Sequence, residues 1–504
     1  MSPHTSRQRS EQEVEEPMSH SVNTGNGAGS GAVGAVVWVV MVAAFGGFLF
    51  GFDTAVINGA VGPIQEVFGL SDVMLGFTVA SALLGCMLGA WAGGSLADRL
   101  GRVRAMLIAA ALFFVSAVGS GLAVTEYDLI AWRVIGGVGV GMASVIAPSY
   151  IAEVAPANLR GRLGSMWQMA IVVGIFGAAL SNALLLNIAG GAGETLWFGL
   201  DAWRWMFIME AFPALIYGLL ATSIPESPRY LVSRGEEDRA AEVLHDVVGL
   251  RGESAIQAKI AEIARTINVE SRQRVKDLIV GGKLMPIVWV GLGLAVFQQF
   301  VGINVIFYYS STLWQSVGIP EDQSFLIQVI TATVNILATV VGILIVDKVG
   351  RRIPLIVGSA GMAVTLGMMA VAFSQAQVAG DAGAGDATVT LPEPWGIIAL
   401  VSANLFVLFF GATWGPFMWL LLGEMFPNRI RAMAVGVSAA ANWAANFLIS
   451  TIFPAMAGFS LVFAYGFYAV SALLSLVFVL LWVPETKGRE LEDMSDSAFS
   501  RRGE

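Results

Sequence analysis

Twelve apolar stretches recur along the chain, and each is long enough to cross a lipid bilayer, which takes about 20 helical residues. Only 13% of the residues are charged, whereas a soluble protein carries roughly 25%. Backbone groups in lipid must be hydrogen-bonded within their own segment, so each stretch is expected to be a helix. The spans are predicted at residues 36–60, 73–97, 103–124, 128–151, 164–188, 203–224, 284–314, 324–346, 353–375, 395–422, 432–457 and 459–483.

The sequence therefore predicts an all-α membrane protein with twelve transmembrane helices in two six-helix halves. The expected units are a disordered tail over 1–33, a first half over 34–224, cytoplasmic linker helices over 225–282, a second half over 283–484 and a tail over 485–504. In the linker, apolar residues recur every three or four positions, which is typical of short amphipathic helices. One long loop is expected from about Gln375 to Pro394.

Basic residues predict the orientation of the chain in the membrane. All of the 28 Lys and Arg residues except Arg133 and Arg204 fall in the tails, the linker and the even-numbered loops. Short cytoplasmic loops carry an excess of basic residues. Both termini and the linker are therefore expected on the cytoplasmic side of the cell membrane.

Three short motifs appear twice, in the same order, after the second, fourth and sixth spans of the two halves. They are Asp98–Arg102 and Asp347–Arg351, Glu153–Arg160 and Glu424–Arg431, and Pro225–Ser227 and Pro484–Thr486. Such repetition predicts two parallel halves related by an axis along the membrane normal, with the substrate between them near the midplane.

An ordered set of motifs over about residues 36–490 resembles the sugar porters of the major facilitator superfamily. The set is Asp98-Arg-Leu-Gly-Arg102, Arg133-Val-Ile-Gly-Gly-Val-Gly-Val-Gly141, Pro225-Glu-Ser-Pro-Arg-Tyr-Leu231, Gln298-Gln-Phe-Val-Gly-Ile-Asn304 and Pro484-Glu-Thr-Lys-Gly488. The chain looks closest to bacterial xylose–proton and glucose–proton symporters and is more distantly similar to mammalian facilitative glucose transporters. In one departure, Gly342 lies five residues before Asp347, whereas Gly94 lies four before Asp98. The resemblance implies the major facilitator fold and transport by alternating access.

The first span contains one carboxylate, Asp53, roughly 25 Å from its basic end at 1.5 Å per residue. Arg133 lies near the start of the fourth span, which enters from the other side, so the two are expected at similar depth as an ion pair. Intramembrane charges are costly and mark functional sites. We predict proton coupling by Asp53 and Arg133, with Glu210 as the second candidate acid. The alternative is that Asp53 lies at the end of the helix, where water at the lipid headgroups solvates its carboxylate.

The resemblance points to the same position. It implies that proton symporters of the family carry Asp where this chain has Asp53, and that mammalian facilitators carry Asn there. A carboxylate that loses its cationic partner binds a proton more readily. Separation of Asp53 and Arg133 during transport is therefore the predicted coupling step.

Neutral amides inside the spans predict a sugar-binding site, because amides both donate to and accept from hydroxyl groups. Isolated intramembrane amides more often join helices, but these are spread over the fifth, seventh, eighth and eleventh spans. The predicted substrate-binding residues are Gln168, Gln298, Gln299, Asn304, Asn335, Asn442, Trp414 and Trp419. The resemblance implies substrate contacts at the amide positions and at Trp419. Packing or lipid-facing roles stay open for Asn335, Asn442, Trp414 and Trp443.

Glycine and proline predict two bends in the spans. Gly302 allows the seventh span to unwind, and Pro416 beside Gly415 removes a backbone donor from the tenth. We predict that both are gating segments. Gly137 and Gly141, four residues apart, are instead expected to let two helices pack closely.

Charged residues recur at the basic ends of the helices and predict a cytoplasmic gate. They are Asp98, Arg102, Glu153, Arg160, Asp347, Arg351, Glu424 and Arg431. Ordinary solvated surface charge is the alternative. Their twofold recurrence favours a salt-bridge network that closes the inner side, and such surface pairs break at little cost.

The residues and the resemblance together predict import of a monosaccharide with a proton. D-glucose or D-xylose is the expected substrate, and no cofactor other than the coupling proton, no metal and no nucleic acid is expected. The protein is expected to work as a monomer in the lipid bilayer and to have no catalytic residues. A facilitative uniporter with a structural Asp53 is the main alternative. A membrane sugar sensor is less favoured, because sensors carry long signalling tails and the segment after Pro484 is short.

Overall fold

The computed structural model describes residues 30–156, 159–270, 275–379, 388–427 and 430–486. Most of both predicted tails and the middle of the predicted loop before Pro394 lie outside the described residues. The described chain is almost entirely helical, and 12 of its helical segments are long and apolar enough to cross a membrane.

The described residues of the first half form eight helices. They are α1 (Ser30–Val56), α2 (Val61–Phe68), α3 (Asp72–Leu100), α4 (Arg102–Gly121), α5 (Glu126–Val154), α6 (Arg160–Ala189), α7 (Ala202–Met209) and α8 (Ala211–Ala221). A 3-10 turn, Ile57–Gly59, follows α1 and completes the first span. Helices α7 and α8 together form the sixth span.

The linker contains three helices, a 3-10 turn and a small hairpin. They are α9 (Pro228–Ser233), α10 (Glu237–Asp246), α11 (Glu253–Glu270), the turn Val275–Leu278, and strands β1 (Ile279–Val280) and β2 (Lys283–Leu284). Leu244, Ile256 and Ile260 form a separate small apolar core there. The amphipathic helices that the sequence predicts are therefore present.

The second half repeats the pattern of the first. It contains α12 (Pro286–Phe300), α13 (Ile303–Ser316), α14 (Glu321–Val349), α15 (Arg352–Phe373), α16 (Trp395–Phe409), a π-helical segment (Phe410–Trp414), α17 (Gly415–Met425), α18 (Arg431–Phe459) and α19 (Leu461–Trp482). The expected loop before Pro394 instead contains two antiparallel strands, β3 (Gln377–Ala379) and β4 (Thr388–Thr390). The β-branched residues of Thr388-Val-Thr390 favour a strand, whereas the Gly-Asp-Ala repeats before them led to the prediction of a loop.

Helix packing confirms two equivalent halves. In the first half α1 packs on α6, α3 on α5, and α4 on α8; in the second half α12 packs on α18, α14 on α16, and α15 on α19. These are the same pairs of spans in each half. Gly137 and Gly141 allow α5 to approach α3, because a Cβ at either would lie 1.9 Å from Ala82 O or 2.2 Å from Cys86 O.

The helix ends at Arg102 and Arg351 are called here the basic face, and the opposite ends, including Gly121 and Phe459, the distal face. The positive-inside prediction makes the basic face cytoplasmic. Helices α3 and α18, α6 and α14, and α1 and α13 join the two halves. Close contacts at Gly76, where a Cβ would lie 2.0 Å from Thr451 O, bring α3 and α18 together near the distal face.

Four spans are broken, and a glycine or proline explains each break. Gly302 adopts φ +82° between α12 and α13, as the sequence predicts, and Pro416 follows the π-helical segment. Two further breaks were not predicted. Proline has no N–H to donate to the carbonyl of the residue four positions before it. Pro63 therefore leaves the carbonyl of Gly59 without its helical hydrogen bond, and Pro213 leaves the carbonyl of Met209 without one. The second of these breaks places Glu210 between α7 and α8.

Candidate functional site

Asp53 and Arg133 form an ion pair inside the first half. Arg133 Nη1 donates to Asp53 Oδ1 at 3.0 Å, and the two side chains are only 3% and 7% exposed, arginine first. The guanidinium also lies over the ring of Phe207, 5.8 Å from its centroid. A buried ion pair is held by the mutual attraction of its charges, and removing one partner leaves the other uncompensated.

Glu210 belongs to the same group of charges. It is 2% exposed and lies within electrostatic range of both Asp53 and Arg133. Glu210 Oε1 and Arg133 Nε have no hydrogen-bond partner among the residues that the structure describes. The break that Pro213 causes sets Glu210 at the junction of two short helices. Two carboxyl groups and one guanidinium thus interact in this buried region, and with all three ionised their net charge is −1, which one added proton neutralises.

Four amides form a hydrogen-bonded cluster in the second half. Gln298 Oε1 accepts from Asn442 Nδ2 at 2.7 Å and from Gln299 Nε2 at 3.3 Å. Gln299 Nε2 also donates to Asn442 Oδ1 at 3.1 Å, and Gln299 Oε1 accepts from Asn304 Nδ2 at 2.8 Å. The helix break at Gly302 makes this possible, because it brings Asn304 at the start of α13 back toward the end of α12. The amide cluster therefore joins α12, α13 and α18.

Backbone carbonyls orient the amide cluster. Asn442 Nδ2 donates to Ala295 O at 2.9 Å, and Gln298 Nε2 donates to Trp414 O at 3.3 Å. The second bond reaches the π-helical segment of the tenth span. Each amide presents both a donor and an acceptor, which suits a ligand carrying several hydroxyl groups.

The other predicted sugar-site residues form no hydrogen bond with the amide cluster through their side chains in the described contacts. Gln168 lies partly exposed on α6 in the first half, and Trp419 is 39% exposed on α17. Asn335 of α14 is buried against Gly411, where a Cβ would meet its Oδ1 at 2.9 Å.

Trp414 faces away from the amide cluster. Its indole Nε1 donates to Leu355 O at 3.1 Å and to Ser359 Oγ at 3.0 Å, both on α15. Only its carbonyl contacts the cluster. Trp443 is buried and lies 5.7 Å from the ring of Phe50, so it joins the two halves.

At the basic face, Arg102 binds two carboxylates with its side chain and a third with its backbone N–H. Its Nε and Nη2 donate to the two oxygens of Glu153 at 3.1 and 2.9 Å, and its N–H donates to Glu226 Oε1 at 2.8 Å. Ser227 Oγ donates to Glu153, and exposed Asp98 lies 3.1 Å from Arg102 Nη1. This network joins α3, α4, α5 and the start of the linker.

The second half repeats this network almost atom for atom. Arg351 Nε and Nη2 donate to Glu424 at 3.0 and 2.8 Å, and Arg351 N–H donates to Glu485 Oε1 at 2.9 Å. Thr486 Oγ1 donates to Glu424 Oε2 at 2.6 Å. Arg431 Nε donates to Phe426 O at 3.1 Å.

The ion pairs of Arg102 with Asp98 and Glu153 lie within the first half, and the ion pair of Arg351 with Glu424 lies within the second. The side chains of Arg160 and Asp347 lie outside the described residues. Sequence reasoning missed Glu226 and Glu485, although the repeated Pro-Glu-Ser and Pro-Glu-Thr motifs contain them.

The two halves are hydrogen-bonded to each other near the distal face. Ser311 N–H donates to Asn58 Oδ1 at 2.9 Å, and Ser311 Oγ lies 2.7 Å from Asn58 O and 2.6 Å from Asn58 Oδ1. Both residues are nearly fully buried. Gln328 Nε2 adds a longer bond of 3.4 Å to Ala55 O. These bonds, together with the α3–α18 contact, close the distal face between the halves. No sequence motif pointed to Asn58 or Ser311.

A family model described as "Sugar (and other) transporter" matches residues 39–498. The chain belongs to this sugar transporter family. It is therefore a membrane transporter of the major facilitator fold and not an enzyme, as the motifs predict.

Relatives and solved structures agree with this family. A protein named "Glucose transport protein" from Synechocystis is 53% identical over 462 residues, which are 91% of this chain and 97% of the relative. The D-xylose-proton symporter of Escherichia coli K12 is 38% identical over 489 residues, 90% of this chain and 94% of the relative. The xylose transporter XylE from E. coli, in a partially occluded inward-open conformation, matches with a TM-score of 0.77 and 35% identity, covering 91% of this chain and all of XylE.

Proposed function

We propose that this sugar transporter imports a monosaccharide of the glucose or xylose type together with a proton. It works by alternating access as a monomer in the cell membrane, with both termini and the basic face in the cytoplasm. Relatives named as glucose, xylose–proton and arabinose–proton transporters support this assignment. Closure of the distal face by Asn58 and Ser311 then corresponds to an inward-facing state.

The observation that carries the proposal is the buried Asp53–Arg133 pair with Glu210 beside it. In the absence of a proton, the attraction between Asp53 and Arg133 holds α1 and α5 together. A proton on the carboxyl group removes that attraction and frees the guanidinium. A proton gradient then does work only because the two states of the transporter bind that proton with different affinity.

The amide cluster supplies the proposed sugar site. Gln298, Gln299, Asn304 and Asn442 offer donors and acceptors to the sugar hydroxyls. Gln168 on α6 and Trp419 on α17 are the further proposed sugar contacts. Glucose and xylose differ by one hydroxymethyl group, a difference that a cavity discriminates by only about 1–3 kcal/mol. A panel of sugars is therefore part of the test.

The test is Asp53→Asn in proteoliposomes. Asparagine keeps the size and polarity of aspartate but does not take up the coupling proton. Uptake driven by an imposed pH gradient should be lost, while counterflow of the preferred sugar at equal pH continues. Asp322→Asn, which changes an exposed carboxylate at the start of α14, is the matched control and should behave as wild type.

Two results would contradict the proposal. If Asp53→Asn still accumulates sugar against its gradient, Asp53 is not the coupling acid, and Glu210→Gln becomes the next variant to assay. If wild-type uptake is indifferent to the pH gradient for every sugar in the panel, the protein does not couple sugar to protons.

A further inference from the structure

A buried hydroxyl group in α4 has no assigned role. Ser120 is 1% exposed, and its Oγ has no hydrogen-bond partner among the residues that the structure describes. It is the second-last residue of α4, so it lies close to the distal face. Leaving a buried hydroxyl without a partner costs about 1–3 kcal/mol. A small apolar residue such as alanine would fill this position without that cost, so packing does not explain the serine.

The neighbours of Ser120 fix the direction of its side chain. Gly119 faces α5, because a Cβ there would lie 2.3 Å from the ring of Trp132. Gly121 faces α7, because a Cβ there would lie 2.5 Å from Ile208 Cγ1. Successive helical residues are about 100° apart, so Ser120 points between these two directions. Its hydroxyl therefore faces the seam between α5 and α7, which contains Arg133 and Phe207.

Ser116, one turn before Ser120, connects this seam to the proton-coupling group. A Cβ at Gly136 would lie 2.3 Å from Ser116 Oγ and 3.8 Å from Asp53 Oδ1, so both oxygens border the same small space. Ser116 Oγ donates its own proton to Trp132 O at 2.8 Å and keeps its lone pairs for other donors. Residues four apart lie on the same face of a helix. The two hydroxyls thus lead from the distal end of α4 to Asp53.

This seam lies inside the first half, apart from the interface between the halves. The Asn58–Ser311 bonds close that interface, whereas the seam is bounded by α4, α5 and α7. At its distal end, Arg204 Nη1 donates to Gly121 O at 3.2 Å and to Ala123 O at 2.6 Å.

We propose that Ser120 and Ser116 conduct the coupling proton between the distal face and Asp53, along a route separate from the path of the sugar. The inference rests on the proposed symport. Each hydroxyl accepts a proton on a lone pair from a hydronium ion on its distal side while its own proton passes to the next water or carboxylate oxygen, and the Asp53 carboxylate becomes a neutral acid. No bond other than O–H forms or breaks. The charged or titratable groups that interact electrostatically with Asp53 are Arg133, Glu210 and Cys86 from the first half and Tyr308 from the second.

The test compares Ser120→Ala with Ser120→Thr in proteoliposomes that contain a pH-sensitive dye. Sugar-dependent proton uptake should slow at least about tenfold in Ser120→Ala, because a relaying group contributes that much or more to proton transfer. Counterflow at equal pH should stay within twofold of wild type. Ser120→Thr restores the hydroxyl and should restore the proton rate. The control is Ser471→Ala in α19, where the hydroxyl is buried but bonds its own helix at Phe467 O.

Ser116→Ala is the second variant and should slow proton uptake in the same way if Ser120→Ala fails to fold. The inference is overturned if both variants take up protons at the wild-type rate. It is equally overturned if counterflow and proton uptake fall together and threonine restores neither, since that pattern means a packing role. A wild-type protein without sugar-dependent proton uptake would instead overturn the proposed symport, and this route with it.

Discussion

Replacing Ser311 by alanine tests how strongly the distal face is held closed. The hydroxyl has one proton for two nearby acceptors, Asn58 O at 2.7 Å and Asn58 Oδ1 at 2.6 Å, so the substitution removes one hydrogen bond. The backbone bond from Ser311 N–H stays. A buried hydrogen bond contributes about 0.5–1.5 kcal/mol, so the closed state loses about 1 kcal/mol relative to the open one. That shifts the equilibrium between the two about fivefold toward the state open at the distal face.

Distance measurement between spin labels checks this shift. Val124 and Phe459 are each 78% exposed at the distal face, one in each half, and Cys86 is the only cysteine. Labels on Val124→Cys and Phe459→Cys in a Cys86→Ala background should report a larger population at long distance in Ser311→Ala. Ser310→Ala is the matched control, because Ser310 is equally buried but its Oγ has no partner among the described residues. Identical distance distributions for Ser311→Ala and wild type would refute the reasoning.

Two further predictions concern the amide cluster and the basic face. Gln298→Ala should weaken sugar binding by at least about 0.5–1.5 kcal/mol for each hydrogen bond lost, with the fold retained; calorimetry showing wild-type affinity would remove Gln298 from the site. Arg102→Lys keeps the charge but loses the bidentate contact with Glu153, and should lower the free energy of unfolding by about 1–3 kcal/mol, measured by thermal unfolding in detergent. Arg104→Lys, at an exposed arginine, should leave it unchanged, and equal effects of the two variants would contradict the importance of the bidentate geometry.

Several features of the fold could be predicted because they depend on local composition. The spans follow from apolar length, and the break at Gly302 follows from the backbone freedom of glycine. The Asp53–Arg133 pair followed from counting depth along two helices that cross in opposite directions. Such counting needs only the rise per residue.

Other features depend on helix rotation or on contacts between distant parts of the chain. The π-helical segment Phe410–Trp414 adds a residue to one helical turn and so rotates the side chains of the tenth span about the helix axis. The indole of Trp414 therefore contacts α15 rather than the amide cluster. Glu226 binds the backbone of Arg102 across 124 residues, and no periodicity links such positions. The predicted roles of the sugar-site and gate residues stay predictions that the variants above address.

The internal bonding of the amide cluster has a consequence for the rate of the transport cycle. After it releases the sugar inside, the transporter must return to the outward-facing state with an empty site. If the buried amides of the empty site had no hydrogen-bond partners, this return would cost about 1–3 kcal/mol for each unpaired group. Here Gln298, Gln299, Asn304 and Asn442 bond one another, so the empty site is already satisfied. An arriving sugar exchanges these bonds for its own and gains little net energy per hydroxyl. The same internal bonds therefore lower the affinity for the sugar and speed the return of the empty transporter. The site favours fast turnover over tight binding of the sugar.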